Sequence, residues 1–210
     1  MVGQTNSGIF KGLFYENEYR VINEKHQFFE SNDFRYGSVV YYGQRYSGIE
    51  LRYDVYLENL LVINEQLANK PIMMFDKNGV TEFEIDGNSF KQLSNNPVAD
   101  AFSGFFQVLL ERDSLTLYKK LRKKIFKRTD QQVVYYEFKN VFSYLMYSGG
   151  IYYPFERVRQ LNRFFPTLKK QIKAGHKKNG ALKNSSYDDY TKKVLLDLFH
   201  LNATREQEEL

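Results

Sequence analysis

The sequence predicts an α+β protein, mainly an antiparallel β sandwich or roll of about 8–11 short strands with a small C-terminal helical part. Short runs of β-branched and aromatic residues recur as far as residue 155, with Gly, Asn and Asp between them. After Pro154 the pattern changes to apolar residues at helical spacing. We therefore divide the chain into an N-terminal segment (1–35), a β domain (36–155), C-terminal helices packed on it (156–202) and a tail (203–210).

Residues 36–63 carry the clearest signal for strands. Apolar and polar side chains alternate here, with Ile49, Leu51, Tyr53, Val55 and Leu57 on one side and Glu50, Arg52, Asp54 and Tyr56 on the other. A period of two places the first set on a buried face and the second set in water. Gly43-Gln44 and Glu58-Asn59 provide turns. Three strands joined by these turns form a predicted antiparallel meander.

Further strands follow in order. Residues 72–75 and 81–85 flank Asn78-Gly79, which is a strong hairpin signal, and a turn at 86–88 leads to a strand at 89–93. A loop at 94–100 precedes a strand at 102–110. Residues 115–126 fit either a strand or a helical stripe, and the hairpin-like context favours a strand. The last strands are expected at 133–139, 141–147 and 151–155.

The helical part begins after Pro154. We expect helices at 156–164 and at 167–174, the second one ending at Gly175. A basic loop at 177–186 should lead to a last helix at 187–201, which Ser186 caps and whose buried stripe contains Val194, Leu195 and Leu198. Residues 202–210 are polar and are expected to fray.

Composition and motifs give no indication of an enzyme. The 210 residues include no Cys, which excludes disulfides, thiolate metal sites and a cysteine nucleophile. His26, His176 and His200 are far apart and form no metal-binding frame, and no nucleophile elbow or phosphate-binding loop is present. We predict no catalytic residue, cofactor or metal. A hydrolase of envelope glycans would need two carboxylates facing each other, which a sequence does not reveal.

The charges are divided unequally along the chain. Residues 1–112 contain 10 Lys/Arg and 15 Asp/Glu, whereas residues 113–210 contain 20 and 10. Seven of the ten residues in 119–128 are basic. A basic surface formed by these residues could bind nucleic acid, anionic lipid headgroups or an acidic protein partner. A solvated basic surface without a partner is an alternative. The predicted partner-binding residues are Lys119, Lys120, Arg122, Lys123, Lys124, Lys127, Arg128, Lys169, Lys170 and Lys173.

Four stretches resemble a family of uncharacterised exported β-rich proteins of Bacteroidetes. They are YGSVVYYGQRYSGIELRYDVYLENLLV, FFQVLLERDSLTLYKKLRKKI, VRQLNRFFPTLKKQIK and DDYTKKVLLDL. The resemblance implies a periplasmic or outer-membrane-associated protein without enzymatic activity. It also implies an accessory role in an outer-membrane machine, for example as the plug of the type 9 secretion translocon.

The N-terminus departs from that family, since residues 1–14 have neither a basic n-region nor an apolar h-region. We expect a periplasmic protein whose signal peptide has been removed. Its expected partner is an outer-membrane protein or envelope complex, with peripheral membrane contact as a further option. The alternative is a nucleic-acid-binding protein that uses residues 119–128, and export would exclude that partner.

Overall fold

A computed structural model of the chain describes residues 9, 12–21, 24–93, 103–112 and 115–206. Its strands are β1 (Leu13–Phe14), β2 (Arg35–Tyr41), β3 (Gln44–Asp54), β4 (Asn59–Ile63), β5 (Ile72–Met74), β6 (Val80–Ile85), β7 (Asn88–Gln92), β8 (Phe105–Arg112), β9 (Leu115–Asp130), β10 (Val133–Ser148) and β11 (Ile151–Phe155). They form one open, mostly antiparallel sheet in the order β1-β5-β4-β3-β2-β6-β7-β8-β9-β10-β11. The predicted β-rich fold is confirmed, but a sandwich is not, because all the strands in the described ranges belong to this one sheet.

Apart from the 3-10 conformation of Ile9, the helices within the described ranges follow the last strand. Two 3-10 helices at Val158–Arg163 and Pro166–Leu168 precede α1 (Lys169–Lys178), α2 (Leu182–Ser185) and α3 (Tyr187–Glu206). A small C-terminal helical part is therefore confirmed. Within the described ranges, no helix is both long enough and apolar enough to cross a membrane.

The chain folds into two compact units, and β8, β9 and β10 contribute residues to both. The first unit contains Met1–Gln107 and Lys120–Phe142, and the second contains Val108–Lys119 and Ser143–Leu210. Each unit has its own core of buried apolar side chains. The first core includes Val39, Leu51, Tyr53, Phe83 and Phe90. The second includes Leu117, Tyr144, Leu161, Ile172 and Leu195.

The meander of β2, β3 and β4 agrees with the prediction for one of its two faces. Ile49, Leu51, Tyr53 and Val55 are buried, as the alternation requires. Leu57 was expected to join them, but it is 39% exposed because β3 ends at Asp54 and Leu57 lies in the following turn. Asp54 was expected in water, yet it is completely buried. An alternating pattern cannot reveal that another segment covers the second face of a strand.

The predicted hairpin at Asn78-Gly79 is wrong. β5 pairs with β4 and β1, whereas β6 pairs with β2 and β7. Residues 75–79 therefore carry the chain from one side of the meander to the other. Gly79 O accepts a hydrogen bond from Tyr42 N at 2.7 Å, so the connection runs beside the β2–β3 turn. The tight turn is present, but the strands on either side of it, β5 and β6, pair with other strands and not with each other.

Other element boundaries also differ from the prediction. Residues 115–126 lie in a strand, as the hairpin context indicated, but β10 is one strand of 16 residues where two were expected. The helix expected at 156–164 is a 3-10 helix. Gly175 does not end a helix, since α1 continues to Lys178 and α2 occupies part of the predicted loop. Ser186 caps α3 as expected, because its Oγ accepts a hydrogen bond from Asp189 N at 3.2 Å. The expected fraying from residue 202 does not match α3, which continues to Glu206.

Candidate interaction surfaces

A long stretch of the helical part of the second unit carries positive charges only. Residues 157–187 contain nine Lys and Arg and not one Asp or Glu. All nine basic residues are exposed. We call this set the helical basic surface, and its members are Arg157, Arg159, Arg163, Lys169, Lys170, Lys173, Lys177, Lys178 and Lys183.

Helix α1 separates its basic side chains from the core by spacing alone. Ile172 and Gly175 are buried, and a methyl group added to Gly175 would lie 3.3 Å from Val194 Cγ1. The glycine therefore lets α1 lie close to α3. Lys169 and Lys173 are four residues apart and share an exposed side of the helix. Their charges face solvent because the opposite side of the helix, with Ile172 and Gly175, packs against the core of the unit.

His176 contacts two side chains of the same unit. Its Nε2 lies 3.1 Å from Arg159 Nη2, and its Nδ1 lies 2.7 Å from the Tyr190 hydroxyl. A guanidinium can only donate hydrogen bonds, so Nε2 accepts and the imidazole is neutral in this arrangement. Burial, followed by the positive charges of Arg159 and Lys183, lowers the pKa of His176 below its ordinary value. His176 thus adds no charge to the surface at neutral pH.

The basic run at 119–128 begins with two lysines that form ion pairs. In the second unit, Lys119 Nζ lies 2.6 Å from Asp188 Oδ2, and the lysine side chain is only 14% exposed. In the first unit, the side chain of Lys120 is 1% exposed and pairs with Glu58. Lys120 Nζ also donates to the carbonyl oxygens of Ser103 at 3.0 Å and Phe105 at 3.3 Å. Lys120 therefore lies in the interior, where a partner could not reach its ammonium group.

The remaining basic residues of the run alternate along β9 in the first unit. Arg122, Lys124 and Arg128 fall on one face of the strand, while Lys123 and Lys127 fall on the other. Lys123 is half-buried, and burial lowers its pKa although the negative charge of Asp54 opposes the change. The other four side chains are exposed. The run therefore does not form one continuous basic surface.

Tertiary contacts assemble a second basic surface around β9 and β10. Lys139 Nζ lies 4.9 Å from the centroid of the Phe126 ring, and the guanidinium of Arg20 lies 5.8 Å from that of Tyr135. The Glu137 carboxylate lies 3.2 Å from Lys25 Nζ and 3.5 Å from Arg128 Nη2. The hydrogen bond from Lys25 is the main cause that lowers the pKa of Glu137. We define the hairpin surface as Arg20, Lys25, Lys124, Phe126, Arg128, Tyr135, Glu137 and Lys139.

Sequence reasoning missed a buried polar network beneath the N-terminal segment. Asp54 accepts hydrogen bonds from the Tyr15 hydroxyl at 3.0 Å and from the backbone N–H groups of Tyr56 and Leu57. Burial raises the pKa of Asp54, although these hydrogen bonds oppose the change. The Arg52 guanidinium lies over the Phe28 ring at 4.1 Å. No signal in the outward residues of β3 could have indicated this cover, because it depends on residues 15–28.

A polar cleft of about 680 Å³ lies beside the same segment. Its lining includes His26 and three carboxyl groups, which belong to Glu24, Glu30 and Asp33. All three acidic residues are exposed. A glycosidase acid is usually a carboxyl group held in buried surroundings, which none of these three has. Among the described residues, no group of His, Asp and Glu has the arrangement of a metal site.

Comparison with known proteins gave no match. The chain matches no protein-family model, no curated protein sequence and no solved structure.

Proposed function

We propose that this protein is a non-enzymatic accessory protein of the bacterial periplasm that docks on an outer-membrane protein complex through its helical basic surface. The resemblance of four stretches to exported Bacteroidetes proteins supports the compartment and the accessory role. A plug or accessory subunit of a secretion translocon such as the type 9 system is the most specific form of the proposal.

The docking role rests on a single observation. Residues 157–187 contain nine exposed Lys and Arg and no acidic residue. Surface cations are ordinarily interspersed with carboxylates, which neutralise the potential over short distances. Residues 157–187 supply no such carboxylate, and among the described contacts one of the nine cations has an ion-pair partner, since Lys178 Nζ lies 3.3 Å from Asp197 Oδ2 of α3. At physiological ionic strength the potential of such a cluster extends over a Debye length of about 8 Å. It would steer an acidic partner surface and would repel a basic one.

Two features of the 119–128 run favour the helical basic surface over it, namely the ion pairs of its first two lysines and the division of its other cations between two strand faces. Lys119 and Lys120 already have carboxylate partners in Asp188 and Glu58. Nucleic acid bound along β9 would meet the remaining cations on two opposite strand faces. Nucleic-acid binding through this run therefore stays the alternative, and it predicts a binding constant that falls steeply with salt concentration.

Affinity purification from native membranes tests the proposal. The tagged protein, extracted in mild detergent, should retain one integral outer-membrane protein that can then be purified and rebound. Substitution of Lys169, Lys170 and Lys173 by Glu should abolish this retention. The matched control replaces Lys124, Lys127 and Lys139 by Glu, which changes the charge equally and should leave retention intact.

Three results would contradict the proposal. The wild-type protein could be recovered alone, the Lys169/Lys170/Lys173 variant could retain the same partner, or fractionation could place the protein outside the envelope. Binding of an oligonucleotide that is lost in the Lys124/Lys127/Lys139 variant would support the alternative.

A further inference from the structure

The hairpin surface gathers cations from three separate parts of the sequence. Arg20 and Lys25 come from the N-terminal segment, Lys124 and Arg128 from β9, and Lys139 from β10. All five are exposed, whereas the single carboxylate among them, that of Glu137, is buried. These five positive charges and the negative charge of Glu137 sum to +4, and the exposed carboxylate of Asp130 on the same face of β9 lowers the net charge to +3.

The two aromatic rings of this surface are already in contact with cations. Lys139 Nζ lies over the Phe126 ring and the Arg20 guanidinium over the Tyr135 ring. A cation over a ring occupies the position in which a nucleobase would stack. The rings therefore hold the cations at the surface, and each has one face covered by a cation, although Phe126 remains 39% exposed. The main feature that this surface offers a ligand is therefore its positive charge.

We infer that the hairpin surface binds the phosphate headgroups of an anionic lipid bilayer. A layer of headgroups offers many phosphates and no bases, and it attracts exposed Lys and Arg from a distance of about a Debye length. The aliphatic stems of Lys and Arg also let the charged ends reach the headgroups while the strands remain above them. The choice of lipid over other polyphosphates rests on the proposed envelope location, whereas the surface itself belongs to a different unit from the helical basic surface.

Vesicle sedimentation with the full-length protein tests this inference. The protein should sediment with vesicles made of equal parts of phosphatidylcholine and phosphatidylglycerol, but not with vesicles of phosphatidylcholine alone. Replacing Lys124 and Lys139 by Gln should weaken binding about 30-fold, because each basic residue near an anionic bilayer contributes about a fivefold gain. The control replaces Lys169 and Lys173 by Gln, and it should bind the vesicles as the wild type does. Circular dichroism of each variant verifies that the fold is retained.

Several outcomes would overturn the inference. Equal binding to both kinds of vesicle would exclude recognition of headgroup charge, and equal losses in the two variants would show that the hairpin surface has no special part. Tight binding of a single-stranded oligonucleotide under conditions where vesicles do not bind would identify nucleic acid as the ligand. Loss of the outer-membrane partner in the Lys169/Lys170/Lys173 variant is a separate readout, so either proposal can fail without the other.

Discussion

Removal of the Glu58 carboxylate should leave the charge of Lys120 without its counterion in the first unit. The Lys120 side chain is 1% exposed, and Glu58 is its only acidic ion-pair partner among the described contacts. In the variant Glu58→Gln the ammonium group would keep its hydrogen bonds to the carbonyl oxygens of Ser103 and Phe105. It would lose the negative charge that compensates for its burial.

The expected cost follows from the burial of the two partners. Breaking a fully buried ion pair by removing one partner costs about 3–5 kcal/mol of unfolding free energy. Glu58 is 29% exposed, so water already screens part of the attraction. We therefore expect a loss of about 2–3 kcal/mol, which corresponds to a decrease of about 5–10 °C in the melting temperature of a chain of this length.

The pH dependence makes this prediction specific to Lys120. Burial lowers the pKa of Lys120, and the negative charge of Glu58 opposes that change. Without the carboxylate, the pKa of Lys120 in the folded state should fall further below its unfolded value of about 10.4. A group whose pKa is lower in the folded state destabilises the fold while it is protonated, and the penalty disappears as pH rises through the folded pKa. The difference in stability between wild type and variant should therefore narrow as the pH rises from the folded pKa of Lys120 in the variant to its higher folded pKa in the wild type.

Urea unfolding followed by circular dichroism at a series of pH values measures this difference. The control is Glu65→Gln, which removes a carboxylate from an ion pair whose side chains are 63% and 66% exposed. That variant should change the unfolding free energy by less than about 0.5 kcal/mol. The reasoning would be refuted if Glu58→Gln were as stable as the control variant, or if its loss of stability did not change with pH.

Three further perturbations test other parts of the structure. Asp54→Ala removes a buried acceptor of three hydrogen bonds and should lower the unfolding free energy by about 2–3 kcal/mol in urea titrations; an unchanged midpoint would contradict the network beneath the N-terminal segment. Gly175→Leu should lower the unfolding free energy by about 2 kcal/mol in thermal unfolding, because the leucine side chain would collide with Val194. Gly175→Ala gains about 1 kcal/mol of helix propensity, which offsets its close contact with Val194. Equal stability of the two variants would argue against tight packing of α1 on α3. Raising the salt concentration from about 0.15 M to 1 M should release the outer-membrane partner, because the Debye length shrinks from about 8 Å to about 3 Å; salt-resistant retention would point to an apolar interface.

Local patterns predicted most strands and the last helix. The turn predicted at Gly43-Gln44 lies one residue earlier, at Tyr42-Gly43, because Gln44 already pairs with Tyr41. Both turn residues have positive φ, as a two-residue hairpin between twisted strands requires. The alternation from Ile49 to Val55 gave the buried face of β3, since a strand shows one face to one core. These features depend on neighbours in sequence, so the sequence carries them directly.

The candidate surfaces divide in the same way. The helical basic surface was predictable in part, because exposed lysines on a short amphipathic helix follow from its spacing, and Lys169, Lys170 and Lys173 are exposed. Lys120 was not predictable as a buried residue. Its carboxylate partner, Glu58, is 62 residues away, and the carbonyl groups that bind its ammonium come from a third segment.

The sequence alone determined a β-rich chain with a helical C-terminus and a basic second half, because periodicity and charge are local properties. Only the tertiary structure decided which strands pair, as β5 and β6 show by pairing away from the Asn78-Gly79 turn between them. It also decided that the N-terminal segment covers Asp54 and joins Arg20 and Lys25 to the hairpin surface. Contacts between distant segments depend on how the whole chain packs its cores. A side chain can form an ion pair or hydrogen bond with a distant residue only when packing has brought the two segments together.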